Sequence, residues 1–283
     1  MREINLSKYN IRTDLIIDNF IDDNEVKNLD YYKEEIEKDI IYEKINISEN
    51  DSKIINKTPG NYRCISFKDI TDHDNYDRVL KTFIKVFKSF LDDKKLDISK
   101  KCMIVGLGNR NSTPDAIGPK VLDNITVTHH LLEYGPLEDG YRDIMTLEPS
   151  VTGSTGIDAK DHILGLTNIL NPDFLIVIDA LKTNSTDRII KTIQISDTGI
   201  IPGSGVNNNR KEISNNELNI PIITIGIPTI IDSVTIVYDT LNYLLKKISY
   251  EKNNSDNYKS KIAITNSYEN YNNDLTLEAK KKY

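Results

Sequence analysis

Apolar positions along the chain fall into short solid runs separated by amphipathic stretches. Cys102–Leu107 is a solid apolar run stopped by Gly108-Asn109, the pattern of a strand buried on both faces. Phe174–Ile178 and Pro221–Ile225 read the same way, and Asp143–Leu147 and Ile189–Ile195 read as further strands, the last at a sheet edge. Between them lie helical patterns at Ala116–Leu132, with Pro119 in the first turn, and at Gly156–Leu170, stopped by Asn171-Pro172. A helix to about Leu245 follows Gly226-Ile-Pro-Thr229. Upstream, Asp74–Leu91 predicts an amphipathic helix with Val79, Leu80, Phe83, Ile84, Phe87 and Leu91 on one face. Val26–Ile40 carries a weaker helical period, and Thr58-Pro-Gly-Asn61 is a turn. Apolar strands alternating with helices predict an α/β fold: a twisted, mostly parallel sheet flanked by helices. The predicted organisation is an N-terminal decoration over 15–100, a core over 101–247 and a loosely ordered polar tail over 248–283.

Composition narrows the class. At 283 residues the chain suits one decorated α/β domain or two modest ones. Thirty-six basic against 43 acidic residues give a formal charge of −7, which argues against direct nucleic-acid binding. No run approaches the roughly 18 apolar residues of a spanning helix. The start, MREINLSKYN, lacks the apolar core of a signal peptide, so a cytoplasmic protein without membrane contact is expected. Cys64 and Cys102 form no disulfide framework. His73, His129, His130 and His162 show no metal-ligand spacing, so no metal ligands are assigned.

Two aspartates carry the candidate chemistry. Asp115 lies in the glycine-containing loop Gly106–Pro119, directly after a strand, and Asp179 is the first polar residue after FLIVI. Open α/β sheets bind ligands beyond the carboxyl ends of their strands. Two carboxylates converging there can share one proton and supply a base and an acid, or can hold a divalent metal. Plainer roles stay open: Asp115 as the cap of the next helix, Asp179 as a turn acid. Gly106-Leu-Gly108 completes no phosphate-binding motif. Pro149–Asp158 leads into a helix; its free N–H groups suit a carboxylate or an oxyanion, or it is a plain helix start with Ser154 or Thr155 as the cap. Gln194–Arg210 reads as a long polar loop, with Asp197 and Arg210 as substrate contacts. Asp232 suits the first turn of the last helix.

Taken together, several blocks resemble the germination protease family of spore-forming bacteria, peptidase family A25. They are GLGN with TPDAIGP and NITVTHHL, the loop from Pro149 to Ile157, PDFLIVIDAL, TIQISDTGI with PGSGV and Arg210-Lys211, and IGIPTIIDSVTI. They keep the family order over about 101–247, and Tyr9–Leu15 resembles the family's start. The resemblance implies a zymogen, a homotetramer, that sheds a propeptide, here residues 1–14, by cutting itself between Asp14 and Leu15. It implies an endopeptidase of the spore core that degrades small acid-soluble spore proteins, cutting after an acidic and before a large apolar residue. It also implies a fold similar to hydrogenase-maturation proteases. Asp115 and Asp179 match the family's suspected catalytic pair. No cofactor is required on the aspartic reading, and a divalent metal on the alternative one. Relative to the family, Asp158 stands for Glu, Ile201 for His, and the chain is tens of residues shorter at its C-terminus. Two other readings are a metal-dependent processing protease of the hydrogenase-maturation kind and an inactive short form on the same scaffold.

Overall fold

The computed structural model describes residues 13–19, 29–55, 57–200 and 213–253. Residues 10–232 form one compact unit, and the helix that follows belongs to a second. In chain order the elements are β1 (Asp30–Glu37), β2 (Ile40–Ile47), α1 (Glu49–Ile55), β3 (Gly60–Phe67), α2 (His73–Asp93), β4 (Cys102–Gly106) and α3 (Ile117–Leu122). There follow β5 (Ile144–Leu147), α4 (Thr152–Thr155), α5 (Ala159–Leu170), β6 (Phe174–Thr183), β7 (Thr192–Ser196), α6 (Asn215–Leu218), β8 (Ile222–Ile231) and α7 (Ser233–Asn253).

All eight strands join one sheet in the order β1-β2-β3-β7-β8-β6-β4-β5. The expectation of a mostly parallel sheet is corrected: the sheet is mixed. β5, β4, β6 and β8 are parallel neighbours, whereas the pairings β1–β2, β2–β3, β3–β7 and β7–β8 are antiparallel. The parallel half was legible because helices cover both its faces and every residue of β4 and β6 is buried. On one face α2 and α3 pack against Ile104, Ile176, Ile178 and Ile223. On the other, α5 and α6 pack against Met103, Val105, Leu175 and Val177. The switch comes at β4, which has β5 on one side and β6 on the other.

Several local expectations change. The helical period of Val26–Ile40 is overridden: Asp30–Glu37 is the edge strand β1, paired along its length with β2. Its exposed Lys33, Glu34 and Glu35 discourage further pairing. The helix expected over Ala116–Leu132 stops at Leu122. Beyond it, β-branched residues disfavour helix, and Thr128 Oγ1 instead accepts from Ile144 N–H (2.8 Å) at the start of β5. His129 and His130 lie in a separate 3-10 helix, His129–Tyr134. The strand expected at Ile189–Ile195 is Thr192–Ser196, and it lies inside the sheet between β3 and β8. Of the loop expected over Gln194–Arg210, Gln194–Ser196 belongs to that strand, and residues 201–210 lie outside the described residues. On α2, Leu80 and Ile84 face solvent, while Val79, Val86 and Phe90 are buried. Arg63, buried on β3, holds that helix: it donates to Val86 O (3.2 Å), pairs with Asp93 and lies 5.0 Å from the centre of the Phe90 ring. Asp158, rather than Ser154 or Thr155, caps α5 by accepting from Lys160 N–H (2.9 Å). Among the described residues no helix is long and apolar enough to cross a membrane.

Cys64 and Cys102 are both buried and unbridged. Burial pushes the Cys102 thiol up to about 12 and the Cys64 thiol well above its ordinary value. The expected outcome is that neither thiol reacts with a disulfide reagent at pH 8 in the native protein. Both should react once guanidinium unfolds it, and a fast native thiol count would contradict this packing.

Candidate active site

β4 ends at Gly106, opposite Ile178, while β6 runs on to Thr183 beside β8. From Asp179 onward the β4-facing edge of β6 therefore has no strand beside it. Main-chain groups on that edge must find other partners. Ile178 O accepts from Leu107 N–H (2.8 Å), where the chain leaves β4. Ala180 N–H donates to Oδ1 of Asp179 (2.8 Å), so this carboxylate is turned to the open edge. Asp179 thus lies inside a strand and is not a turn acid; it is only 5% exposed. Alternate residues of a strand bond to the same side, so Lys182 continues the edge set by Ile178 and Ala180. There the partner is Asp14: Asp14 N–H donates to Lys182 O (2.9 Å), and Lys182 N–H donates to Asp14 Oδ2 (2.9 Å).

The loop after β4 carries Asp115 back over the strand ends. Asn109 N–H donates to both Asp115 O (3.0 Å) and Asp115 Oδ2 (2.9 Å). The helix-cap alternative is overturned, since Ala116 occupies the cap position of α3 with no side-chain bond. Gly108 (φ +112°) and Gly118 make this return possible. A Cβ on Gly118 would lie 2.2 Å from Leu107 O and 2.6 Å from Ile178 O. No side chain fits between α3 and the strand ends. Thr229 adds a third hold, donating from Oγ1 to Pro114 O (2.5 Å). It is the extra residue of a bulge in β8, where the register passes from Leu181↔Pro228 to Lys182↔Ile230. Asp115 and Asp179 are therefore brought to the same end of the neighbouring strands β4 and β6.

Other expected residues are placed differently. Asp197 accepts from Asn61 N–H and Nδ2 (both 2.7 Å) and pairs with Lys94, tying the end of β7 to β3 and α2. Arg210 lies outside the described residues. Asp232, expected to serve the dipole of the last helix, pairs instead with Lys182 Nζ at 2.9 Å. Sequence reasoning missed Arg110. Its guanidinium binds Glu148 (Nε–Oε1 3.1 Å) and Asp123 (Nη1–Oδ2 2.9 Å), lacing the loops after β4 and β5 together. Those two carboxylates, Glu148 foremost, raise its pKa further. Among the described residues no three His, Cys, Asp or Glu side chains are grouped as a metal site.

The segment around Asp14 and Leu15 is unusually well held. Leu15, Ile16 and Ile17 are buried against Ile45, Ile47, Tyr62, Cys64 and Leu181. Leu181 shares its face of β6 with Asp179. Ile16 N–H donates to Gln194 Oε1 (2.8 Å), and Gln194 pairs with Gly226, which pairs with Asp179. Asp18, buried at 2% exposure, accepts from Thr183 Oγ1 and Asn184 N–H (both 2.9 Å) and from Thr13 Oγ1, and pairs with Arg188. The bond between Asp14 and Leu15 thus lies on the face and at the end of the sheet that carry Asp179.

The matching family model is that of the germination protease, over residues 14–282. A germination protease of Bacillus cereus (strain B4264) is 43% identical over 258 residues, 88% of this chain and 70% of that protein. One of Geobacillus sp. (strain WCH70) is 41% identical over 279 residues, 93% of this chain and 74% of its own. One of Bacillus cytotoxicus is 41% identical over 263 residues, 89% and 72% respectively.

Two substitutions test this geometry. Gly118→Ala should destabilise by about 1–3 kcal/mol through overpacking, although alanine is the better helix former, and chemical denaturation reads the sign. Asp18→Ala should cost about 3 kcal/mol, because Arg188 and Thr183 lose a buried acceptor, and should leave residues 13–19 open to limited proteolysis.

Proposed function

The chain belongs to the germination protease family, and from that premise we propose a full reading of its activity. It is a hydrolase, an endopeptidase of spore germination. Its substrates on this reading are small acid-soluble spore proteins, met in the spore core. The active form is a homotetramer on a scaffold akin to the hydrogenase-maturation proteases, and it neither contacts nucleic acid directly nor meets a membrane.

Asp115 and Asp179 form the catalytic pair. The observation that carries this is their placement where β4 stops, with the Asp179 carboxylate turned to the open edge of β6. One carboxylate, ionised, takes a proton from water as the water oxygen bonds to the scissile carbonyl carbon. The other, protonated, gives its proton to the departing nitrogen as the C–N bond breaks. The products are a new carboxyl and a new amine, and the pair exchanges roles for the next turn. No cofactor is needed for this cycle. Activation of the water by a divalent ion held on the same carboxylates is the alternative that the chelator arm below decides.

The chain is made as a zymogen that cuts itself between Asp14 and Leu15. Before the cut, residues 13–18 occupy the ground beside Asp179. A segment bound in cis holds a weak site full without any loss of translational freedom. Acidification would protonate one carboxylate of the pair and permit the cut. Asp14→Ala is expected to block processing, with the N-terminus remaining at Met1 by mass spectrometry.

The test is to incubate the mildly acid-treated protein with a small acid-soluble spore protein and map the products by mass spectrometry. Cleavage is expected after Asp or Glu and before an apolar residue. Asp115→Asn and Asp179→Asn should each lower the rate by about 10²–10⁴-fold. Undiminished cleavage by either variant would overturn the pair. Loss of activity with chelator and its return with a divalent ion would replace the metal-free cycle.

A further inference from the structure

Lys57 is a half-buried cation that the catalytic cycle does not use. Its Nζ donates to the carbonyl oxygen of Thr13 (2.7 Å), one residue before Asp14. Burial lowers its pKa, while the carboxylates of Asp14 and then Asp18 pull it back up. An ammonium partly withdrawn from water is stabilised by the anions and acceptors around it. Asp18 is already engaged by Thr13, Thr183, Asn184 and Arg188. Of the two carboxylates that act on this lysine, Asp14 is the stronger and the one that precedes the bond to Leu15. The main chain around Asp14 is bonded to Lys182, two residues along the β6 edge from Ala180, whose N–H binds the Asp179 carboxylate.

Cleavage after Asp14 would take away residues 1–14 and leave Leu15–Ile17 buried in the core. Three groups then lose the contacts that Thr13 and Asp14 make: the Lys57 ammonium, the Lys182 N–H and the Lys182 carbonyl. They are a cation, a donor and an acceptor, arranged to receive one extended acidic residue of another chain. We propose that Lys57 and the main chain of Lys182 form the subsite that selects an acidic residue on the amino side of the scissile bond, filled in this chain by Asp14. This rests on the reading that the chain cuts after Asp14. It goes further by naming the residue that sets the preference. A neutral residue in the same place deprives the ammonium of the stronger of its two carboxylates, and a basic one adds repulsion.

The experiment uses the full chain. Self-processing after mild acidification is timed for the wild type, Lys57→Glu, and Lys57→Glu combined with Asp14→Lys, each first shown to be folded by circular dichroism. Lys57→Glu should slow the cut by about tenfold or more, and the double exchange should recover the rate with the cut still before Leu15. An unslowed Lys57→Glu chain, or a folded double variant that fails to recover, overturns the subsite. Separately, NMR of labelled lysine follows the Lys57 titration. Asp14→Asn should lower its pKa further, because the neighbouring anion is lost, and an unmoved titration overturns the pairing. A wild-type chain that never cuts itself would instead sink the zymogen reading, and the titration alone would then decide the Lys57 contact.

Discussion

A strand buried on both faces must satisfy its main-chain groups on both edges, and β6 is longer than the strand on one side of it. β4 ends opposite Ile178, and everything at the site follows from how the remaining edge is completed. Leu107 takes the first position, the Asp179 carboxylate the second, and the Asp14 main chain and side chain the third. An unpaired buried N–H or C=O costs about 1–3 kcal/mol, so none of these positions is left to chance. The structural need to close the edge places the Asp179 carboxylate and the segment around Asp14 along the same edge.

The remaining site features hold that edge in place from the outside. Gly118 lets α3 press onto the carbonyls of Leu107 and Ile178. The bulge at Thr229 reaches across from β8 to Pro114. Arg110 fastens the same loop to the one after β5. Each contact is local and modest, but together they leave the loop bearing Asp115 little freedom. The catalytic role proposed for Asp115 would require that kind of preorganisation, since misplacement by about 1 Å can cost about 100-fold in rate.

The antiparallel half serves a different end. β1, β2 and β3 extend the sheet and, through Ile45, Ile47, Tyr62 and Cys64, line the bed on which Leu15–Ile17 lie. Asp197 and Arg63 fix that half to α2. Apolar burial keeps the stretch after Asp14 in place, whereas hydrogen bonds and charge hold Asp14 and Thr13. The two kinds of anchoring meet at the peptide bond between Asp14 and Leu15.

Local physics was legible in the sequence. Solid apolar runs announced β4 and the first halves of β6 and β8, because burial on both faces there favours apolar residues. The motifs around Asp115 and Asp179 pointed to the family. Where local preference is weak the sequence misled: β1 has a charged, nearly helical pattern, and only pairing with β2 makes it a strand. The helix predicted through Leu132 ended early, because Thr128 is bonded to the start of β5. What only the tertiary structure decided are the neighbours far apart in the chain. They include Asp14 on Lys182, Lys57 on Thr13, Thr229 on Pro114, and a mixed sheet whose antiparallel half comes mostly from the N-terminal third. Periodicity reports which face of an element is buried, but carries no information about which distant segment will cover it. That choice is made by whichever groups can complete a buried edge.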